Sequence, residues 1–211
     1  MKPFLIAIIL LIPCLCFGQK NTSDYDIYSQ YFRVFQKQRG GEYNFIVRVK
    51  PEYNSDDDEP GLSFFLNDLK GDIKAGRVSG SFALYCPQLI DTLKKDTSWL
   101  ILIDQLNKSF RKPHIIRNAF ASDMHVSMFT YSQYAEYFEN KDMDDGWAGF
   151  REGYPGHSIL TTVSDIVSDG KHVVFYFSWG CGGLCGDGSL VLFSNDTSGW
   201  KYLCSIRLWQ S

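Results

Sequence analysis

The chain has 211 residues, 45% of them hydrophobic, enough for one large domain or two small ones with a real core. Twenty-one basic residues against 24 acidic ones give a net charge of -3, so there is no basic surplus for nucleic acid. Aromatic residues reach 16%, with 12 Tyr and 16 Phe, a composition that suits core and sheet packing as well as recognition surfaces.

At the N-terminus, Lys2 precedes FLIAIILLIPCLCF, an apolar run of h-region length, and Gly18-Gln19 offers a small residue to signal peptidase. The expectation is an export leader over residues 1–18, with residues 19–211 forming one α+β domain that is periplasmic or secreted. Without Lys2 the charge balance becomes 20 basic against 24 acidic residues, a net charge of -4. Lipidation of Cys14 or Cys16 is disfavoured because Pro13 and Leu15 stand where small residues are wanted, and no second run of membrane-spanning length follows.

From Asp24 to Arg39 the apolar residues Ile27, Tyr28, Tyr31, Phe32 and Phe35 recur at helical spacing, and Gly40-Gly41 closes the segment. Tyr43 to Lys50 alternates apolar and polar residues as a half-buried strand does. The acid run Asp56 to Glu59 is contiguous, unlike the alternating ligands of a calcium loop, and predicts a solvated loop. Pro87 suits a first helical turn before Leu89, Ile90 and Leu93, and Trp99, Leu102, Ile103, Leu106 and Phe110 form a second apolar helical face. Thr130 and Gln133 match a capping box ahead of a short helix over Tyr134 to Glu139. Asp144 or Asp145 caps another helix carrying Trp147 and Phe150, and Gly153-Tyr154-Pro155-Gly156 stops it.

Beyond Ser158 the period changes. Ser158 to Ser164, His172 to Trp179, Ser189 to Ser194 and Trp200 to Trp209 are β-rich runs separated by Asp169-Gly170, a cysteine-bearing loop from Gly180 to Gly188, and Asn195 to Gly199. Short sequential connections favour an antiparallel meander. The predicted class is α+β, with N-terminal and central helices packed on one face of a C-terminal antiparallel β-meander.

The Gly180 to Gly188 segment invites three chemistries and lacks the context for each. A phosphate-cradling loop opens a helix, whereas this one leads into the strand-like SLVLFS and has no Lys after its glycines. A peptidase cysteine has its histidine downstream, whereas His114, His125, His157 and His172 all lie upstream. A structural zinc site needs four ligands, and only Cys181 and Cys185 form a knuckle, so no metal is expected. In an oxidising compartment the four cysteines beyond the leader favour disulfides. Cys181 with Cys185 is preferred because the glycines between them allow a tight turn; Cys86 with Cys204 follows by elimination, with two buried free thiols as its alternative.

The run Trp147, Phe150, Tyr154-Pro155, Ser164, Gly183-Leu184, Gly186, Gly188, Gly199-Trp200 and Trp209 resembles the C-terminal block of a family of small bacterial exported proteins to which no activity is assigned. The resemblance covers about the last third of the chain. Family members with small non-thiol residues at the positions of Cys181 and Cys185 imply that this pair is structural. The chain departs from the pattern at Asp165, where a basic residue is expected, and at Ser194, where an acidic-basic pair usually precedes the turn.

No Gly-x-Ser-x-Gly elbow and no His-Glu-x-x-His occurs. His157 follows Tyr154-Pro155-Gly156 at a helix-to-strand junction, where loops often carry sites. Tyr154, His157, Trp179 and Asp187 are the ligand-binding candidates, expected on one surface made by the Tyr154 to Ser158 junction and the cysteine loop; core packing of the two aromatics is the competing expectation. The predicted function is a non-enzymatic binding or interaction domain of the cell envelope, with an envelope protein or a small ligand as partner and no cofactor. The alternative is an envelope hydrolase pairing His157 with a carboxylate such as Asp165 or Asp187.

Overall fold

The computed structural model describes residues 23–49, 62–76, 89–109, 115–156 and 158–211. The leader, the acidic run at residues 56–59, Cys86, Pro87, Phe110 and His157 lie outside the described residues.

Helix α1 (Asp24–Arg39) begins and ends where the sequence places it. The Ser23 hydroxyl accepts from the Asp26 backbone N–H at 3.3 Å and the Asp26 carboxylate accepts from the Ser23 N–H at 3.0 Å, so two donors of the first turn are satisfied reciprocally. Gly40 takes φ 71°, a left-handed conformation that costs other residues more, and its N–H closes on the Gln36 carbonyl.

Six further segments lead through the middle of the chain: β1 (Asn44–Arg48), α2 (Leu62–Ala75), α3 (Ile90–Lys95), α4 (Ser98–Ser109), β2 (Val126–Phe129) and α5 (Tyr131–Phe138). The Thr130–Gln133 capping box is present at α5. The cap of α6 (Met143–Gly153) is Asp142 rather than Asp144 or Asp145: its carboxylate accepts from the Asp144 N–H at 3.0 Å, which leaves the two following acids in the first turn, where they meet the helix dipole favourably.

The C-terminal half supplies β3 (Ser158–Val163), β4 (Val167–Ser168), β5 (His172–Gly182), β6 (Cys185–Asp196) and β7 (Gly199–Gln210). Strands β3, β5, β6 and β7 run antiparallel in that order, the predicted meander, and β4 pairs with β5. Strands β1 and β2 extend the sheet in parallel: Phe45 lies opposite both Val126 and Ile159. The fold is α+β with a mostly antiparallel sheet.

Helices cover both faces of the sheet, not one. On the first face, Tyr28, Tyr31, Phe32 and Phe35 of α1 pack on Phe45, Val173, Phe175, Phe177, Val191 and Phe193. On the second, Leu66, Leu69 and Ile73 of α2 and Trp99, Leu102, Ile103 and Leu106 of α4 pack on Val174, Leu190, Leu192, Ile206 and Leu208. At the parallel end of that second face, Ile46 meets Phe129, Trp147 and Phe150. The runs VVFYF and LVLF are apolar at consecutive positions, so each strand presents hydrophobic side chains up and down and needs a cover on each side. For the same reason β1 is buried at Phe45, Ile46 and Val47 instead of half-buried.

Strand pairing runs through the expected cysteine loop. β5 reaches Gly182 and β6 starts at Cys185, so only Gly183-Leu184 turns, with a register shift between Gly180 and Gly182. The glycines serve close packing. A Cβ on Gly188 would lie 2.1 Å from the Trp209 indole nitrogen, one on Gly186 would lie 2.6 Å from the Trp179 carbonyl oxygen, and one on Gly180 would meet the Trp147 ring at 3.2 Å. Among the described residues no helix is long and apolar enough to cross a membrane.

Candidate functional site

Arg39 ends α1 with its guanidinium over the Trp179 ring at 4.4 Å and beside Phe35 at 5.5 Å, and it donates to Asp187 Oδ2 at 2.7 Å. Trp179 and Asp187 are cross-strand partners on β5 and β6, so the sheet itself sets acid and indole side by side under the helix terminus. Arg207 on β7, opposite Ser189, brings a second guanidinium to 3.8 Å from the same Oδ2. The Asp187 carboxylate is thus nearly buried, with only 10% of its side chain exposed, between two cations.

Away from this cluster runs a chain of hydroxyls. The Ser205 hydroxyl donates to Tyr31 Oη at 3.1 Å and shares a hydrogen bond with Tyr202 Oη at 2.9 Å. Burial holds the Tyr31 phenol far above its ordinary pKa, the Ser205 bond offsetting only part of the effect, so this group stays a neutral donor and acceptor throughout the physiological range. Arg39, Asp187, Ser189, Arg207 and these three hydroxyls line a groove of about 570 Å³ between the C-terminal half of α1 and strands β6 and β7.

Of the sequence candidates, Trp179 and Asp187 come together as cross-strand neighbours under Arg39, and of the two Asp187 lines the groove. Tyr154 does not join them. The register of Leu160 opposite Gly180 sets the start of β3 and the β5–β6 hairpin at one end of the sheet, yet Tyr154 lies on the other face, against Phe150 at 5.1 Å and Phe129 at 5.7 Å. Its hydroxyl accepts from the Gln133 amide at 3.1 Å, and burial together with nearby Tyr137 and Glu136 raises its pKa. The sheet stands between the two sets of residues. His157 lies outside the described residues. Of its two suggested carboxylate partners, Asp187 is ion-paired with arginines, and Asp165 follows the far end of β3, about 20 Å from Ser158 at strand rise.

Cys181 and Cys185 are disulfide-bonded across the hairpin with Cα atoms 5.3 Å apart. Cys204 is disulfide-bonded as well. None of these three cysteines offers a nucleophile, because an oxidised cysteine has no thiolate.

A second polar cluster joins α4 to the start of β5. His172 Nδ1 lies 3.1 Å from both Asp169 Oδ2 and the Ser98 hydroxyl, and its Nε2 lies 3.6 Å from Asp96 Oδ2. These residue types resemble a hydrolytic triad, but the arrangement differs from one. Serine and acid share one imidazole nitrogen, and the Ser98 hydroxyl gives its proton to Asp96 at 2.6 Å. Trp99 covers the imidazole at 4.2 Å between ring centroids. The cluster fastens the α3–α4 junction to the β4–β5 turn. No group of three or more metal-ligating side chains occurs among the described residues.

Sequence reasoning missed Arg39, Arg207, Tyr31, Tyr202 and Ser205. The available signal was Arg207 itself, a charge between the core residues Ile206 and Leu208, whose face must therefore differ from theirs. No family model matches the chain, no curated protein matches it, and no solved structure matches it.

Proposed function

We propose that this protein is an exported, non-enzymatic binding domain whose ligand site is the groove between α1 and strands β6–β7. The observation that carries the proposal is the Asp187 carboxylate held between Arg39 and Arg207 at the mouth of a groove lined by three tyrosine and serine hydroxyls. Few convergent polar groups in a concavity of several hundred cubic ångströms are the usual makeup of a small-molecule site. Export is supported by the leader-like N-terminus and by disulfides at Cys181–Cys185 and Cys204, which persist in oxidising compartments. A hydrolytic role has no comparable support, since neither Asp187 nor Asp165 has a described base beside it.

The test is a thermal-shift screen of fractionated small molecules from the organism's envelope, run on the wild type and on Ser205→Phe, which fills the groove. A ligand that binds only the folded protein raises its melting temperature by mass action. A fraction that stabilises the wild type and leaves the folded variant unmoved is the expected result. No stabilising fraction, or equal stabilisation of both proteins, overturns the proposal.

A further inference from the structure

The polar groups of the groove carry a particular donor and acceptor pattern. Both guanidiniums approach Oδ2 of Asp187, and among the described residues no donor reaches Oδ1. Asp187 lines the groove, so this oxygen is an acceptor open to a ligand there. Arg39 gives one N–H to Asp187, its remaining N–H groups meet no acceptor among the described residues, and 37% of its side chain is open to solvent. An acceptor and a set of donors therefore sit next to each other, each charged and each unsatisfied on the groove side.

This pattern selects among ligand classes. An anion would gain Arg39 but be set against Oδ1, and an ammonium would gain Oδ1 but be set against two guanidiniums. A neutral hydroxyl suits both, because it donates to the carboxylate while it accepts from the guanidinium. Vicinal hydroxyls repeat that match at adjacent atoms. The Tyr202 hydroxyl, whose proton is committed to Ser205 once Ser205 donates to Tyr31, extends it with an acceptor lone pair, and the Tyr202 and Phe35 rings that line the groove offer apolar faces to the C–H side of a sugar ring. A volume of about 570 Å³ falls within the range of small-molecule sites and admits one or two such rings.

We infer that the groove binds a neutral saccharide unit, with Asp187 Oδ1 accepting from one sugar hydroxyl and Arg39 donating to a neighbouring sugar oxygen. The inference rests on the groove being the ligand site.

Titration of ¹⁵N-labelled protein with glucose, galactose, mannose, N-acetylglucosamine, maltose and cellobiose, with glucuronate and inorganic phosphate as charged comparators, tests it. At least one neutral sugar is expected to shift the amide signals of Arg39, Asp187, Tyr202 and Ser205. Arg39→Gln, at the exposed end of α1, and Asp187→Asn are each expected to weaken that sugar roughly tenfold, the size of one charge-assisted hydrogen bond. Arg39→Gln keeps the test decisive if Asp187→Asn fails to fold. Shifts at the groove with glucuronate or phosphate alone overturn the saccharide and leave the groove reading standing. No groove shift with any probe overturns the saccharide, while the groove reading is decided separately by Ser205→Phe in the extract screen. Sugar-induced shifts confined to the Tyr154 side of the sheet overturn both.

Discussion

The two faces of the sheet are packed from different materials. Under α1 the core is aromatic, with Phe32 stacked on Phe45 at 4.1 Å and Tyr31 edge-on to Phe177 at 4.9 Å; under α2 and α4 it is mostly leucine and isoleucine. Aromatic residues bring polar handles and flat surfaces to the margin of a core, whereas branched aliphatic side chains fill it and present nothing to a ligand. The groove accordingly opens on the aromatic side, where Tyr31 and Tyr202 line it.

The sharpest way to break this comparison is to remove one large side chain from each face. Phe32→Ala and Leu106→Ala, both fully buried, should cost about 3–5 and 2–5 kcal/mol respectively in denaturant unfolding. A loss under about 1 kcal/mol at either position, below the range for such truncations, would mean that its face is not a packed core.

Gly188 probes the aliphatic face alone, since its missing Cβ leaves room for Trp209 and the Tyr176 hydroxyl. Gly188→Ala should destabilise toward the upper end of about 1–3 kcal/mol while ligand-induced shifts at the groove persist. An unchanged melting temperature would show that the indole has somewhere else to go.

The hairpin disulfide packs at the margin of the aromatic face. Replacing Cys181 and Cys185 with Ser should lower stability by about 2 kcal/mol, the chain-entropy value for so small a ring, and leave groove binding intact. Loss of binding in a folded double variant would tie the hairpin to the site.

The smallest effect concerns acid. Hydrogen bonds from Ser98 lower the Asp96 pKa, and bonds from the His172 ring and the backbone N–H groups of His172 and Lys171 outweigh burial to lower that of Asp169. Because both folded values lie below the unfolded one near 3.9, the stabilisation is present above about pH 4 and fades as pH falls through the folded values. Each acid is substantially exposed, so the contribution is under about 1 kcal/mol. Asp169→Asn should therefore be less stable than wild type at neutral pH and equal to it in strong acid, as read from urea midpoints. A gap that persists in strong acid would assign the loss to something other than charge.

Much of this architecture was legible in the sequence wherever a local signal existed. The helical face of α1 with its serine cap and glycine stop, the Thr130–Gln133 box, the four C-terminal strands and the Cys181–Cys185 pair each announce themselves within about a dozen residues. Strand β2 did not, because VSMF is four residues long and gains its place only by pairing with β1. The second covered face was written in consecutive apolar positions of β5 and β6, which read as strand without revealing how many layers follow. The groove was the least legible part. Arg39 reads as an ordinary basic helix terminus and Tyr202 as a strand aromatic, and nothing local connects residues 39, 187 and 207.

The pairing of β1 has a temporal side. Phe45 finds one neighbour at Val126 and the other at Ile159, and the Tyr28 hydroxyl bonds the Ser164 carbonyl 136 residues away. Strands β5 to β7 close through short turns and can assemble early, but α1 and β1 lack their partners in β3 and β5 to β7 until the last third of the chain exists. Such high contact order slows folding and leaves an aromatic N-terminal segment exposed while synthesis continues. A chain that must wait for its own C-terminus keeps its N-terminal aromatic side chains uncovered for longer, and the delay invites aggregation.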